Sequence, residues 1–264
     1  MTKYEELCAQ IAKYPKVAIA YSGGCDSNFL LHVCLNVLGK DNVLPVFVRG
    51  AMVTQEDLDE ALGYLEGLDH VVIDMDVFSI PQFEYNDKKR CYWCKKSIMS
   101  EIKRVAFQHG ITDVLDGQNV DDLSEYRPGS KACRELGILS PLADFKMTKD
   151  EIRAYSKELN IPTFDKPANA CLASRFEYGT HLTRKKLERI DRAEKILHDC
   201  GIRHVRVRDM ALAARIECEP GDMDKMIGQR ERIVEAFRQL GFRYVTLDLN
   251  GITSGGFDKN GYIV

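Results

Sequence analysis

Apolar residues form continuous runs at Lys16–Tyr21 and Val43–Val48, with a third at His70–Met75 and a shorter one at Asp113–Leu115. Continuous runs, unlike strict alternation, predict strands buried on both faces of a parallel sheet. Between them apolar positions recur every three or four residues, which predicts helices over Asp26–Leu38, Thr54–Leu68 and Cys94–His109. Thr54 is the expected cap of the second helix, with Asp57 three residues on, and Gly110 is the stop of the third. Strands and helices alternating at these lengths make βαβ units, hence an α/β fold with a parallel sheet.

The later half is patterned differently. Thr148–Leu159 reads as a helix with Thr148 as cap and Glu151 at the third position, ended by Ile161-Pro162. From Thr163 to Thr183 no period holds, and the stretch carries Pro167, Cys171, Arg175 and Gly179. Long aperiodic stretches inside compact proteins are usually functional or linking. The domain boundary is placed here: residues 1–166 form the parallel-sheet domain and residues 167–264 a smaller α+β domain. The latter contains a helix over Arg184–Cys200 stopped by Gly201 and alternating strands at Val205–Arg208 and Ala213–Cys218. A helix over Gly221–Leu240 and a last strand at Tyr244–Leu249 complete it.

The first apolar run ends in Ser22-Gly23-Gly24-Cys25-Asp26-Ser27, and a helical pattern follows at once. Strand, tight glycine turn and helix start gather successive backbone N–H groups around an anion, with the helix dipole behind them. No lysine follows the glycines, so this is not the Gly-x-x-x-x-Gly-Lys-Ser/Thr phosphate loop. It resembles the pyrophosphate loop (PP-loop) of the ATP-pyrophosphatase superfamily, whose members cut ATP between the α and β phosphates. The plain alternative is a Gly-Gly turn with Asp26 and Ser27 as caps. Ligands of parallel sheets sit at the carboxyl ends of the strands. That rule places this loop, Arg49-Gly50 and Asp116-Gly117-Gln118-Asn119 on one rim.

Composition narrows the classes. A chain of 264 residues holds one large domain or two modest ones, and its net charge of −3 supplies no global basic field for nucleic acid. No apolar run approaches a membrane span and no secretory leader is read at the start, so a cytoplasmic protein is expected. Nine cysteines, an odd number without secretory context, read as reduced thiols rather than a disulfide framework.

Cys91-Tyr92-Trp93-Cys94 is the one close pair. Such spacing serves a redox pair, part of a zinc or iron–sulfur site, or nothing. A redox pair belongs at the first strand-to-helix junction of a thioredoxin-like unit, and this pair is elsewhere. Zinc asks for a second pair or nearby histidines, and His109 is the only histidine close by. An iron–sulfur cluster accepts three thiolates. Lys88, Lys89, Arg90, Lys95 and Lys96 surround the pair, either as a solvated helix face or as stabilisers of thiolates or of a phosphate. Cys171 is the natural third ligand, and a helical turn through Ala170–Arg175 would set Arg175 on its face, where a guanidinium lowers a thiol pKa. Cys8, Cys34, Cys200 and Cys218 read as packed thiols, Cys133 as part of a short helix, and Cys25 as a small residue of the loop.

Several further segments now carry weight through their order. Gly117–Asp122, Tyr126-Arg127-Pro128-Gly129, Ser140-Pro141-Leu142, Lys149–Arg153, Asp165-Lys166-Pro167 and Ala170–Arg175 follow one another as in the LarE family of ATP-dependent sulfur transferases. The likeness continues through Tyr178-Gly179, Arg215-Ile216-Glu217 and Leu247-Asp248-Leu249, nearly the whole chain. The resemblance implies adenylation of a carboxylate of a pyridinium dicarboxylate mononucleotide, then displacement of AMP by sulfur to leave a thiocarboxylate. ATP and Mg²⁺ are the implied cofactors, at Ser22, Gly23, Gly24, Asp26, Ser27, Arg49, Gly117, Gln118, Asn119, Asp121 and Asp122. Of these, Asp26, Asp121 and Asp122 are the candidate metal ligands, Asp26 foremost.

The family's sulfur site maps onto Cys171, with Arg175 beside it in the reaction. Single-cysteine members give up that cysteine's own sulfur. Three-cysteine members hold a [4Fe-4S] cluster whose open iron carries a replaceable sulfide, and Cys91, Cys94 and Cys171 resemble these. Substrate-phosphate contacts map onto Arg206 and Arg208, with Glu194, Glu217 and Asp224 near assisting acidic positions; the bland alternative is the wet face of a strand. A nucleotide substrate, a sulfide or other sulfur donor and a homohexamer are the implied partners. Two rivals stand beside this reading. A tRNA thiolase of the same superfamily needs a broad basic surface, which the net charge argues against. A non-catalytic zinc or iron–sulfur module would not need the intact loop. An amide-forming synthetase would bring a glutaminase-type domain that the sequence lacks.

Overall fold

The computed structural model of the protein describes residues 1–124, 128–167 and 170–252, and its contacts divide the chain into two compact units. The first comprises Met1–Gly50, Asp57–Ile80 and Lys89–Asn169. Its sheet contains β1 (Val17–Tyr21), β2 (Val43–Arg49), β3 (Val71–Asp74) and β4 (Val114–Asp116), in the order β3-β2-β1-β4 and parallel throughout. The α/β class with a parallel sheet is therefore as expected. All five residues of β1 are buried, which is why this central strand shows no alternation. Leu139 adds a parallel bridge to Leu115 beyond β4, so the chain after Gly137 returns along the strand end.

Three expectations need adjustment in this unit. His70–Met75 was expected to be buried, but β3 is the sheet edge and its residues are half-buried or exposed, since one side has no neighbouring strand among the described residues. The second helix is Gln55–Gly63, shorter than Thr54–Leu68, because Gly63 and the positive-φ Gly67 break the pattern. The helix expected from Cys94 starts at Arg90 and runs to Gln108, so both cysteines of the pair lie in its first turns. Its start was hidden because Lys89, the cap residue, makes no side-chain capping bond. The helix Lys149–Glu158 has the expected capping box between Thr148 and Glu151.

The second unit comprises Ala51–Glu56, Pro81–Lys88 and Ala170–Val264. Its sheet has the order β5 (Val205–Met210), β6 (Ala213–Cys218) and β7 (Tyr244–Leu247), with β5 and β6 antiparallel and β6 and β7 parallel. The helix Arg184–Asp199 buries Leu187, Ile190, Ala193 and Leu197 against this sheet. The single helix expected over Gly221–Leu240 is two, Met223–Gly228 and Arg230–Gln239, broken after Gly228, a weak helix former.

Candidate active site

In the first unit the loop Ser22–Ser27 leaves β1 and enters the helix Cys25–Leu38 with Gly24 at its cap. Gly23 has φ +72°, and a Cβ there would lie 2.5 Å from the Ala61 Cβ, so only glycine makes this turn. The Ser22 and Ser27 hydroxyls are 3.1 Å apart, and Ser27 Oγ donates to Gly24 O. Behind the loop, Tyr21 donates to Asn28 Oδ1 at 2.7 Å while Asn28 Nδ2 donates to Gly24 O. The turn is thus fixed from inside, with the Ser22 N–H also donating to Ser27 Oγ at 3.4 Å.

Gly117, the first residue after β4, abuts this loop. A Cβ at Gly117 would stand 2.9 Å from Ser27 N and 3.1 Å from the Asp26 carbonyl carbon. Asn119, fully buried, donates from Nδ2 to Asp26 Oδ2 at 3.3 Å and exchanges bonds with Asp122. Asp121 Oδ2 accepts from Lys149 N at 2.7 Å, and Lys149 Nζ is 3.1 Å from Asp26 Oδ2. The structure therefore brings Ser22, Gly23, Gly24, Asp26, Ser27, Gly117, Asn119, Asp121 and Asp122 into one rim, with Gln118 turned in by a bond from its N–H to Asp116 Oδ1. Arg49 closes β2, but its guanidinium is exposed and doubly bonded to Asp74.

Sequence reasoning gave Lys149 no role of its own, although it opens both the capped helix and the Lys149–Arg153 segment of the family resemblance. Asp26 Oδ2 has two donors, whereas the buried Oδ1 has no hydrogen-bond partner among the described residues. An orphaned buried carboxylate oxygen is costly unless a ligand completes it. It suits a hard cation such as Mg²⁺, which takes oxygen ligands and phosphate together.

None of the nine cysteines is in a disulfide, and their exposure sorts them. Cys25, Cys34, Cys133, Cys200 and Cys218 are buried, Cys8 and Cys94 half-buried, Cys91 and Cys171 exposed. Cys133 packs in its helix as expected, 3.4 Å from Asp116, and burial pushes it up to about 12. Burial does the same to Cys34, also to about 12. Cys8 is less packed than expected, lying half-buried beside Tyr4. Among the described residues no three His, Cys, Asp or Glu side chains are gathered as for a metal ion. Tyr126 and Arg127 lie outside the described residues.

In the second unit Cys171 leads into a 3-10 turn, Leu172–Arg175, rather than an α-helical one. Arg175 is buried and its guanidinium is spent on structure. Nε and one terminal nitrogen grip both oxygens of Glu194 at 2.8 and 3.0 Å, while the other donates to Ala170 O and Ser174 Oγ. Burial works to lower the Arg175 pKa, but the Glu194 charge and bonds, with smaller pushes from Cys171 and Glu217, leave it raised. Glu194 Oε1 also accepts from Val207 N at 2.9 Å. Arg208 repeats the pattern: it grips Glu217 twice and donates to Ser174 O at 2.7 Å. Arg206 shares that face of β5 and is half-buried. Burial first, then the charges of Arg175 and Arg208, push its pKa below the usual guanidinium range. Glu217 and Glu194 oppose that shift more weakly. In place of the wet strand face given as the alternative stands a paired ionic layer around Arg208, and Asp224 lies in the first turn of a separate short helix.

No protein-family model matches the chain. The pyridinium-3,5-bisthiocarboxylic acid mononucleotide synthase of Lactiplantibacillus plantarum is 36% identical over 256 residues, 96% of this chain and 93% of the relative. The chain belongs to the LarE family. An uncharacterized protein of Synechocystis is similarly related to this LarE chain, 37% identical over 262 residues, 98% of this chain and 97% of the other. A weaker likeness, 28% over 170 residues, links 58% of the LarE chain to 54% of a glutamine-hydrolyzing GMP synthase component of Thermoplasma volcanium. Among the described residues no helix is long and apolar enough to cross a membrane.

Proposed function

We propose that this protein is an ATP-dependent sulfur transferase that converts a carboxylate of a pyridinium dicarboxylate mononucleotide into a thiocarboxylate, releasing AMP and pyrophosphate. The observation that carries the reading is the match, over nearly both full lengths, to a synthase named for the bisthiocarboxylic acid mononucleotide. The geometry supports it from two sides. A substrate carboxylate oxygen attacks the α phosphorus of ATP and pyrophosphate leaves, held by the amides of Ser22–Ser27. Asp26, steadied by Asn119 and Lys149, offers its buried Oδ1 to Mg²⁺. Sulfur then attacks the acyl carbon and AMP departs with the original carboxylate oxygen.

Cys91, Cys94 and Cys171 would hold a [4Fe-4S] cluster. What supports them is exposure: they are three of the four thiols that are not buried, while the described side chains do not gather them as for a metal ion. When bound, such a cluster supplies exchangeable sulfur, which turns a single-use cysteine into a catalyst. Arg206 receives the substrate phosphate, while Arg175, Arg208, Glu194 and Glu217 brace the Cys171 turn and β5. The domain division near residue 167, a cytoplasmic setting and a homohexamer belong to the same proposal.

The deciding experiment is anaerobic reconstitution with iron and sulfide, followed by incubation with ATP, Mg²⁺, sulfide and the dicarboxylate mononucleotide. Stoichiometric AMP, pyrophosphate and a thiocarboxylate over many turnovers are expected, and Cys171→Ser should abolish the product. Pyrophosphate without thiocarboxylate would overturn the sulfur-transfer reading. Loss of H₂S from Cys171 after one turnover would overturn its catalytic form.

A further inference from the structure

The carboxylate of Asp116 lies at the last residue of β4, beneath the nucleotide rim, and is only 3% exposed. Four segments of the first unit converge on it. Ser140 Oγ donates to Oδ1 at 2.7 Å, Gln118 N donates to Oδ1 at 3.2 Å, and Cys133 Sγ approaches Oδ2 at 3.4 Å. Lys95 Nζ, from the helix Arg90–Gln108, stands 3.9 Å from Oδ2. The backbone of Asp116 is also engaged, its N–H donating to Leu139 O. Asp144 feels the same charge: burial first, then Asp116, raise its pKa.

A buried carboxylate is expensive and survives only where its bonds compensate it. An apolar residue would close β4 at lower cost, so the charge has a use beyond filling space. What it holds identifies the use. Gln118 and Gly117 are the two residues that carry the chain from β4 over the loop, and Gly117 lies against Ser27 N and the Asp26 backbone. Beyond them Asn119 reaches Asp26.

We propose that Asp116 is a positioning residue for the nucleotide: its carboxylate fixes the Gly117–Asn119 turn against the Ser22–Ser27 loop, with Ser140 and Lys95 holding that carboxylate in place. Asp116 itself touches no substrate. The proposal rests on the reading of this rim as an ATP site, and the test separates the two.

ATP binding is measured by equilibrium dialysis with Mg²⁺ on the full chain and on Asp116→Asn and Ser140→Ala, alongside amide hydrogen exchange. Asp116→Asn keeps the shape and removes the charge. It is expected to raise the Kd for ATP about tenfold, with faster exchange confined to residues 117–122. Ser140→Ala should shift the Kd in the same direction by about threefold. If Asp116→Asn does not fold, Ser140→Ala is read by the same criterion. Unchanged ATP affinity in the folded variants, or faster exchange spread evenly over the sheet, overturns the positioning role. A wild-type chain that binds no ATP overturns the nucleotide reading instead.

Discussion

Lys149 Nζ and Asp26 Oδ2 meet at 3.1 Å although 123 residues separate them in sequence. The pair ties the helix that follows the α/β crossover to the glycine loop at its start. It also leaves the second oxygen of Asp26 facing inward with no donor among the described residues.

Asp26→Ala is therefore expected to abolish Mg²⁺-dependent pyrophosphate release. Lys149→Met leaves the carboxylate but not its orientation and should cost roughly 10- to 100-fold, the usual range for a residue that orients a metal ligand. A Mg²⁺ titration of pyrophosphate release checks both. A Lys149 variant with wild-type Mg²⁺ dependence would show that the lysine only packs.

Gly117→Ala places a methyl group 2.9 Å from Ser27 N, against backbone that cannot yield like a flexible side chain. The expected penalty is about 1–3 kcal/mol of stability, with a larger loss in ATP affinity than in melting temperature. Calorimetric melting with and without ATP distinguishes the two.

The Arg175–Glu194 pair is buried on both sides, at 4% and 5% side-chain exposure. Removing one partner strands the other, so Arg175→Met or Glu194→Leu alone should cost roughly 3–5 kcal/mol. The double variant is expected to regain most of that. Urea denaturation of the four proteins gives the cycle, and additive losses would contradict the pairing.

Thiol labelling reads the burial pattern directly. Iodoacetamide at mildly alkaline pH should modify Cys91 and Cys171 rapidly and leave Cys34 and Cys133 untouched, since burial holds the latter two at about 12. The same groups set an alkaline limit to stability. In the unfolded chain they lose their protons near pH ~8.5, so above that value the native state binds more protons than the unfolded one and stability falls with rising pH. Cys34→Ala should flatten that decline in urea titrations between mildly alkaline pH and the folded value.

Strands β1, β2 and β4 and the glycine loop were legible in the sequence because each depends on a local rule, a run of apolar residues or a turn that only glycine makes. Thr148 and Glu151 were legible for the same reason, as a capping box spans three residues. Lys149 and Asp116 were not, since the partners that give them meaning come from elsewhere in the chain. Arg206 and Arg208 alternate as a solvated strand would, and nothing local announces that Arg208 is closed by Glu217 from the neighbouring strand. Arg175 was expected to face Cys171; its guanidinium is bidentate on Glu194 while the charge of Cys171 still acts on it, and only the Glu194 pairing had no local signal.

Glu194 accepts from both Arg175 and the backbone of β5, and Arg208 donates back to Ser174. The turn after Cys171 and the strand bearing the arginines therefore cannot be varied independently. On the proposed reading, an attempt to redirect this protein to a different phosphorylated acceptor is expected to begin at Arg206, because Arg208 and Glu194 also hold the turn after Cys171. Variants selected for a new acceptor should accumulate around that one side chain before they touch its neighbours.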